Sequence, residues 1–234
     1  MLAHLLHTFH LGGSTSPWDN RRMKSRPCTS VLALATLGAL YLALLRSPVL
    51  TWGATDAEAA ATLPGDELLP DADGCSTRAI TIDAPASAVW PWLAQMGPSP
   101  RGGVYTYDWI ENLLGLDIHT VDHVLPEWQN PRASEEIALG SNTMRIEIVD
   151  PERTLAFDSG DRNWLWTFNL VPDGDSTRLI SRNRYRLPTL GAKLAILPME
   201  PASLVMERKM LIGIKTRAER LAGETPSADP GPGP

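Results

Sequence analysis

Two alternating runs joined by a short polar turn constrain the fold of this 234-residue chain more than any other feature. The first run, Asn163 to Leu170, carries an aromatic or leucine side chain at every second position: Trp164, Trp166, Phe168 and Leu170. The second run, Thr177 to Leu187, alternates in the same way, and the intervening VPDGDS is typical of a turn between strands. Because residues i and i+2 share one face of a strand, the pattern predicts an antiparallel pair with an indole-rich inner face.

Further strands and a closing helix complete this pattern. Thr77 to Asp83 and Thr143 to Val149 also alternate, whereas Pro201 to Ala222 repeats apolar residues at the three- and four-residue spacing of a helix. Gly223 then ends that helix. The order predicts an α+β fold in which an antiparallel sheet of six or seven strands packs on a long C-terminal helix.

The stretch from Cys28 to Leu45 contains no charged residue. As a helix it is about 27 Å long at roughly 1.5 Å per residue, close to the thickness of a bilayer core of about 30 Å. Basic residues cluster before it, so the positive-inside rule places the N-terminus in the cytoplasm and the rest outside. We therefore predict a single-pass anchor in the cell membrane over residues 28–46. A cleaved signal peptide and a buried helix are the alternatives.

The rest of the chain divides by composition. Residues 1–27 are predicted to be a disordered basic N-terminus, within which Met23 is an alternative start. Residues 47–75 form an acidic linker that has six carboxylates and no Lys or Arg after Thr51. Residues 76–223 form the folded domain, and the Pro- and Gly-rich residues 224–234 form a disordered tail.

Charge and side-chain inventory exclude several functions. The net charge of −6 argues against a nucleic-acid partner, because phosphate binding relies on basic surfaces. No cysteine–histidine cluster indicates a metal, and "HTVDH" (His119 to His123) is a weak candidate because Thr120 and Val121 disfavour a helix. We expect neither a metal nor a cofactor.

Three arginines, Arg182, Arg184 and Arg186, share one strand face. We predict that this face is solvated and that the arginines pair with acidic residues of the neighbouring strand. An anion or lipid-headgroup site is the alternative.

Four sequence segments resemble a bacterial subfamily of the SRPBCC superfamily, which often carries an N-terminal membrane segment. They are "TRAITIDAPASAVWPWLAQMG", "RGGVYTYDWIENLLG", "LPEWQ" and "VMERKMLIGIKTRAERL". This superfamily includes START domains, pollen-allergen-like proteins and polyketide cyclases. The resemblance covers residues 51–222 and implies a helix-grip fold, in which a curved sheet wraps a long helix around a cavity for lipids, polyketides or other apolar molecules. It carries no shared catalytic residues, so we predict none here.

Nine residues are predicted to bind the ligand of such a cavity. Tryptophan rings and flexible methionines would give the cavity its shape, while a hydroxyl, guanidinium or carboxyl group would orient a polar end. The candidates are Arg101, Tyr105, Trp109, Glu127, Trp128, Trp164, Trp166, Met206 and Met210. Arg101-Gly102-Gly103 lacks the spacing of a phosphate loop, so we expect its glycines to form a turn that lets the following aromatics close one end of the cavity.

Three functions follow from these features. The first is a membrane-tethered, non-catalytic binding domain for a hydrophobic small molecule or lipid. The second is a polyketide cyclase- or aromatase-like enzyme acting in the same cavity, which would require an acid and a base that converge there. The third is an interaction module that works through its surface and binds no ligand.

Overall fold

The computed structural model describes residues 41–224 and, before them, Thr36, Gly38 and Leu40. A π-helical turn, Tyr41–Leu45, leads into two short helices, α1 (Arg46–Leu50) and α2 (Asp56–Ala60). The 3-10 turn Asp66–Leu68 and strand β1 (Gly74–Ile82) follow. The remaining elements are α3 (Ala86–Ala94), α4 (Asp108–Leu113), a 3-10 turn (Pro126–Trp128), β2 (Glu136–Leu139), β3 (Asn142–Asp150), β4 (Thr154–Ser159), β5 (Trp164–Asp173), β6 (Ser176–Tyr185) and α5 (Leu190–Glu224).

The six strands form one antiparallel sheet in the order β1-β6-β5-β4-β3-β2. The hairpin predicted from the alternating runs is β5–β6, in which Trp166 pairs with Asn183 and Phe168 with Ser181. The predicted α+β class, the antiparallel sheet with six strands, and the long C-terminal helix are confirmed.

The main core lies between one face of the sheet and helices α3 and α5. We call this face the inner face. Its centre is closed to solvent, since the sheet and both helices contribute side chains that are fully buried there: Ile146, Leu155, Phe168, Leu179, Val89, Leu93, Leu211 and Ile214. Burying such a side chain contributes roughly 1.5–3 kcal/mol, so this contact is the main force that holds α5 to the sheet.

Helix α5 begins at Leu190 rather than at the predicted Pro201. Prolines at 198 and 201 indicated a boundary, because proline in a helix removes a backbone donor and crowds the preceding turn. Packing overrides that preference here. Ile196, in the first half of α5, is buried in a second apolar cluster with Tyr185 and Leu187.

An acidic strap, residues 51–73, covers the outer face of the sheet. Glu58 binds Arg178 at 2.7 and 2.8 Å, and Asp66 binds Arg182 at 2.6 Å. The backbone also takes part: the carbonyls of residues 58, 59 and 61 accept from Arg182. This segment, predicted as a linker, therefore contacts the sheet along its length.

The prediction for the arginine row was wrong in two respects. Arg182 is buried rather than solvated, and it pairs with Asp66 of the acidic strap rather than with a neighbouring strand. Arg184 donates to the carbonyls of Leu69 and Pro70 in the same strap. The pattern indicated a charged face, but a strand alternation contains no information about a distant segment that packs on it.

Among residues 41–224, no helix is both long enough and apolar enough to cross a membrane. The predicted anchor, residues 28–46, lies for the most part outside the described residues. The predicted disordered N-terminus, 1–27, and residues 225–234 of the tail lie outside them entirely. The anchor and its orientation stay predictions.

Candidate ligand-binding site

Polar side chains interrupt the apolar contact between the inner face and α5. Arg78 of β1, Ser181 and Asn183 of β6, and Glu207 of α5 are all buried. Arg78 pairs with Ser181 in the sheet register, and Asn183 pairs with Trp166, so these side chains share the inner face. We call Arg78, Ser181, Asn183 and Glu207 the interface network.

Glu207 is the centre of the interface network. Its Oε2 accepts from Arg78 Nη1, and its Oε1 accepts from Ser181 Oγ at 2.5 Å. Asn183 Nδ2 lies 3.3 Å from both oxygens. A carboxylate offers about four acceptor sites, so this one is fully occupied by its own chain. Burial raises the pKa of the Glu207 carboxyl, while the charge of Arg78 and the hydroxyl of Ser181 act in the opposite direction.

Arg78 joins three parts of the chain at this site. Besides Glu207, its guanidinium donates to Val49 O in α1 at 3.2 Å and to Ser203 Oγ in α5 at 3.0 Å. A buried guanidinium is stable only when its donors are satisfied. The same contacts that satisfy Arg78 therefore also fix α1 and α5 relative to β1.

Two stacked tryptophans lie beside the interface network. Trp164 and Trp166 have ring centroids 5.6 Å apart and an interplanar angle of 21°. Trp166 Nε1 donates to Ser181 Oγ at 2.9 Å, and Trp164 Nε1 donates to Asn183 Oδ1 at 2.8 Å. Both rings are partly exposed, whereas Phe168 on the same face is fully buried. The inner face is therefore closed at Phe168 and accessible at the two indoles.

A second polar group lies next to Trp164. Tyr185, its cross-strand partner on the inner face, is buried, and its hydroxyl has no hydrogen-bond partner among the described residues. Burial raises the pKa of this hydroxyl to about 12, so it is a neutral donor at neutral pH. Nearby, the buried Glu200 accepts from Arg46 at 2.8 Å and from Tyr41 at 2.9 Å.

Arg101 and Trp128, both predicted to bind ligand, lie together in the loop region. Arg101 is buried, donates to the carbonyls of Ala94 and Met96 at 2.8 Å each, and pairs with Glu135 at 2.7 Å. Its guanidinium also stacks on Trp128, 4.6 Å from the ring centroid. These contacts hold the loop in place and leave Arg101 few donors for a ligand.

The glycine–aromatic loop is built as a turn, as expected. Gly103 forms an isolated antiparallel bridge with Gly97, and its φ of +81° is one that glycine adopts without strain. Tyr105 is buried under α5 and donates to Trp92 O at 2.8 Å, whereas Trp109 is 69% exposed. Of the aromatics in this loop, Tyr105 packs in the core and Trp109 faces solvent.

The spacing of Asp108 and Glu111 in the sequence predicts a capping box at the start of α4, and this prediction is wrong. Tyr107, not Asp108, precedes the helix, and it makes no side-chain cap. Asp108 instead accepts from the backbone N and Oγ1 of Thr120, both at 2.7 Å. A partner twelve residues away thus replaces the local one.

The remaining predicted residues are dispersed. Glu127 is exposed, while Met206 and Met210 are buried on α5, Met210 in the main core. Trp164 and Trp166 are the two predicted residues that lie beside the interface network. The nine therefore do not converge on one point, and their role in binding stays a prediction.

Sequence reasoning missed Arg78, Ser181, Asn183 and Glu207, although a signal existed for two of them. Arg78 shares a strand face with Ile80 and Ile82, and Glu207 lies three residues after Leu204, one of the apolar residues whose helical spacing predicts the face that packs on the sheet. An isolated charge on each of two faces that are predicted to pack together indicates a buried ion pair.

Comparisons with known proteins give weak structural matches. No protein-family model matches the chain, and a search of curated proteins finds no significant match. Solved structures similar to it include the self-sacrificing resistance protein CalC of Micromonospora echinospora, at 14% identity and a TM-score of 0.42, covering 65% of this chain and 98% of that one. A polyketide cyclase-like protein of Corynebacterium glutamicum has 12% identity and a TM-score of 0.33, and the match covers 63% of this chain and 88% of that one.

A third solved structure, a protein of Mesorhizobium loti, has 14% identity and a TM-score of 0.38, covering 62% of this chain and 97% of that one. The neighbours of this chain thus include polyketide cyclase-like proteins. All three TM-scores are below 0.5, so these likenesses do not indicate a function for this chain.

Proposed function

We propose that this chain is a binding domain for a small, mainly apolar molecule held between the sheet and α5 at Trp164 and Trp166. The observation that carries the proposal is the partial exposure of these two stacked rings on a face whose centre, at Phe168, is fully buried. Their N–H groups are already bonded to Asn183 and Ser181, so the rings offer a ligand rigid apolar surface. An aromatic ring buries 150–250 Å² when covered, which provides the driving force for binding.

Tyr185 would hold the polar end of the ligand. Its hydroxyl has no hydrogen-bond partner within the described part of the chain, and a buried unpaired donor costs roughly 1–3 kcal/mol. An acceptor on the ligand, such as a hydroxyl, ketone or ester oxygen, would satisfy it. We therefore expect a molecule with a ring or chain that stacks on the indoles and one uncharged oxygen group.

We further propose that the domain is non-catalytic. Every acceptor position of Glu207 is occupied, so proton transfer to a substrate would require a network contact to break first. One observation favours the cyclase-like alternative: Arg78 and Glu207 are two ionisable groups in the same helix–sheet interface. If the domain is cyclase-like, the wild type would convert a bound molecule and Glu207→Gln would abolish that turnover. If it is a binding domain, the wild type would retain the bound molecule chemically unchanged.

We also propose a helix-grip fold of the SRPBCC type and an anchor at residues 28–46, with the domain outside the cytoplasm. The element order supports the fold: one strand, two helices, five strands, one long helix. The uncharged stretch from Cys28 to Leu45 supports the anchor. Fractionation should find the full chain with membranes, and deletion of 28–45 should release it. A truncated chain that stays with membranes would contradict the single anchor.

Organic extraction of the purified full chain, followed by mass spectrometry, tests the binding proposal. We expect one apolar species to co-purify with the wild type and with Trp109→Ala, and to be lost from Trp166→Ala. The two variants remove the same side chain, once from an exposed helix and once from the candidate site. Equal recovery from all three proteins would contradict the proposal.

A further inference from the structure

The first half of α5 exposes an apolar face. Leu190 is 74% exposed, Leu194 62% and Val205 55%. Pro198 and Ala202 are exposed as well, and the spacing of these five residues keeps them on one side of the helix. We call them the apolar stripe. At roughly 1.5 Å per residue the stripe is about 24 Å long. It is therefore a continuous exposed apolar surface, whereas single exposed leucines are common on protein surfaces.

The charges around the apolar stripe are mostly positive. Between Leu190 and Met206 the charged residues are Lys193 and Glu200, and Glu200 is buried under Arg46. Lys193 is exposed, with Asp73 at 3.5 Å, and Arg208 and Lys209 are exposed just past the far end. An apolar helix face bordered by basic side chains suits the boundary between acyl chains and anionic headgroups.

The last residues of the predicted anchor are fixed to the same half of α5. Arg46 and Tyr41 both bind the Glu200 carboxylate. Leu42, Leu44 and Leu45 of this segment are exposed. If residues 28–46 cross the bilayer, α5 therefore meets the chain where it leaves the membrane.

We propose that the apolar stripe of α5 lies in the headgroup region of the bilayer, as a second membrane contact beside the anchor. The inference rests on the tether of the proposed function. It also makes one wall of the candidate site membrane-proximal, because Trp164 packs on the same apolar cluster as Ile196 on the inner side of this half of α5. A ligand dissolved in the bilayer would then reach Trp164 along α5.

Spin labels on the full chain test this contact. In a Cys28→Ser/Cys75→Ser background, single labels are placed at Leu194→Cys in the stripe, at Leu37→Cys in the predicted anchor, and at Thr216→Cys, an exposed position in the second half of α5. The protein is reconstituted into vesicles of phosphatidylcholine and phosphatidylglycerol. We expect label accessibility to oxygen to exceed accessibility to a water-soluble nickel complex at positions 37 and 194, and the order to reverse at 216.

Each other outcome contradicts a defined part of the account. A label at 194 that behaves like 216, while 37 remains lipid-exposed, overturns the docking and leaves the tether standing. Nickel access at both 37 and 194 overturns the tether and the docking together. Spin–spin broadening at 194 means that a second copy covers the stripe, which also overturns the docking.

A charged variant provides an independent readout. Leu190→Glu/Leu194→Glu should fold normally, because both side chains are exposed. In this background a label at Val205→Cys should change from oxygen-favoured to nickel-favoured. A label at 205 that remains oxygen-favoured would overturn the docking.

Discussion

Arg78 on β1 and Glu207 on α5 form an ion pair enclosed between the sheet and the long helix, with side chains 0% and 7% exposed. The two residues are far apart in sequence, so the pair fixes the position of α5 along the sheet. A buried pair of this kind contributes little net stability compared with apolar residues, but removing one partner leaves an uncompensated charge. A substitution in this pair therefore tests how α5 is positioned on the sheet.

Arg78→Met should lower the free energy of unfolding by about 3–5 kcal/mol, because Glu207 is left buried without its partner. Thermal unfolding of the full chain in detergent micelles should show a fall in Tm of roughly 2–4 °C per kcal/mol. Arg145→Met is the matched control, since its pair with Glu147 is partly exposed and should contribute at most about 1 kcal/mol. The account of the pair is wrong if both variants unfold at the same temperature.

Lowering the pH should weaken the contact between the acidic strap and the sheet, because the Glu58 carboxylate that binds Arg178 becomes protonated. The hydrogen bonds from Arg178 lower the pKa of the Glu58 carboxyl from 4.5 to about 2, against the opposing effect of burial. Because the folded pKa is below the unfolded one, this stabilisation is complete above about pH 5 and is lost as the pH falls towards 2.

The difference in Tm between wild type and Glu58→Gln should therefore shrink across that pH range. The exposed Glu127→Gln serves as the control and should follow the wild type. A difference between wild type and Glu58→Gln that stays constant with pH would exclude this role for Glu58.

Gly103→Ala should destabilise the loop more than Gly174→Ala. Both glycines have positive φ, +81° and +60°, so both substitutions strain the backbone by about 1–3 kcal/mol. At Gly103 the added Cβ would also lie 2.6 Å from Thr120 Cα, whereas at Gly174 it meets open space. Thermal unfolding of the two variants isolates the steric part. Equal Tm values would mean that the loop does not pack closely on residue 120.

Trp166→Ala should lower the free energy of unfolding by about 3 kcal/mol, near the lower end for loss of a large aromatic, because the ring is partly exposed. Its ring contacts with Phe157, Phe168 and Trp164 would all be lost. Trp109→Ala, at an exposed helix position, should change stability by no more than about 0.5 kcal/mol. Similar effects on Tm would argue against the packing described for Trp166.

Local periodicity was sufficient to predict strands β1 and β3, the β5–β6 hairpin and the second half of the closing helix. The alternation of Trp164, Trp166 and Phe168 assigned these rings to one face, and the register of β5 with β6 agrees with it. A period of two residues in a strand, or of 3.6 in a helix, follows from backbone geometry and needs no knowledge of distant partners.

Contacts between segments far apart in sequence could not be predicted in this way. Nothing in "VMERKM" distinguishes Glu207 from the charged residues that follow it. Its burial depends on its contact with Arg78, which lies on β1. Asp66 and Arg182 are separated in the same manner, so no local pattern in residues 51–73 predicts their contact with the sheet. Capping rules failed at Asp108 because Thr120 supplies a better partner than the helix terminus does.

Native mass spectrometry of the full chain, released from detergent micelles, tests the central claim most directly. We predict one bound molecule of a few hundred daltons per chain in the wild type and in Trp109→Ala, and its loss in Trp166→Ala, as expected for a pocket of about 300–1,000 Å³. A wild-type chain that carries no such molecule after purification from its native host, or a Trp166→Ala chain that retains it fully, would contradict the claim.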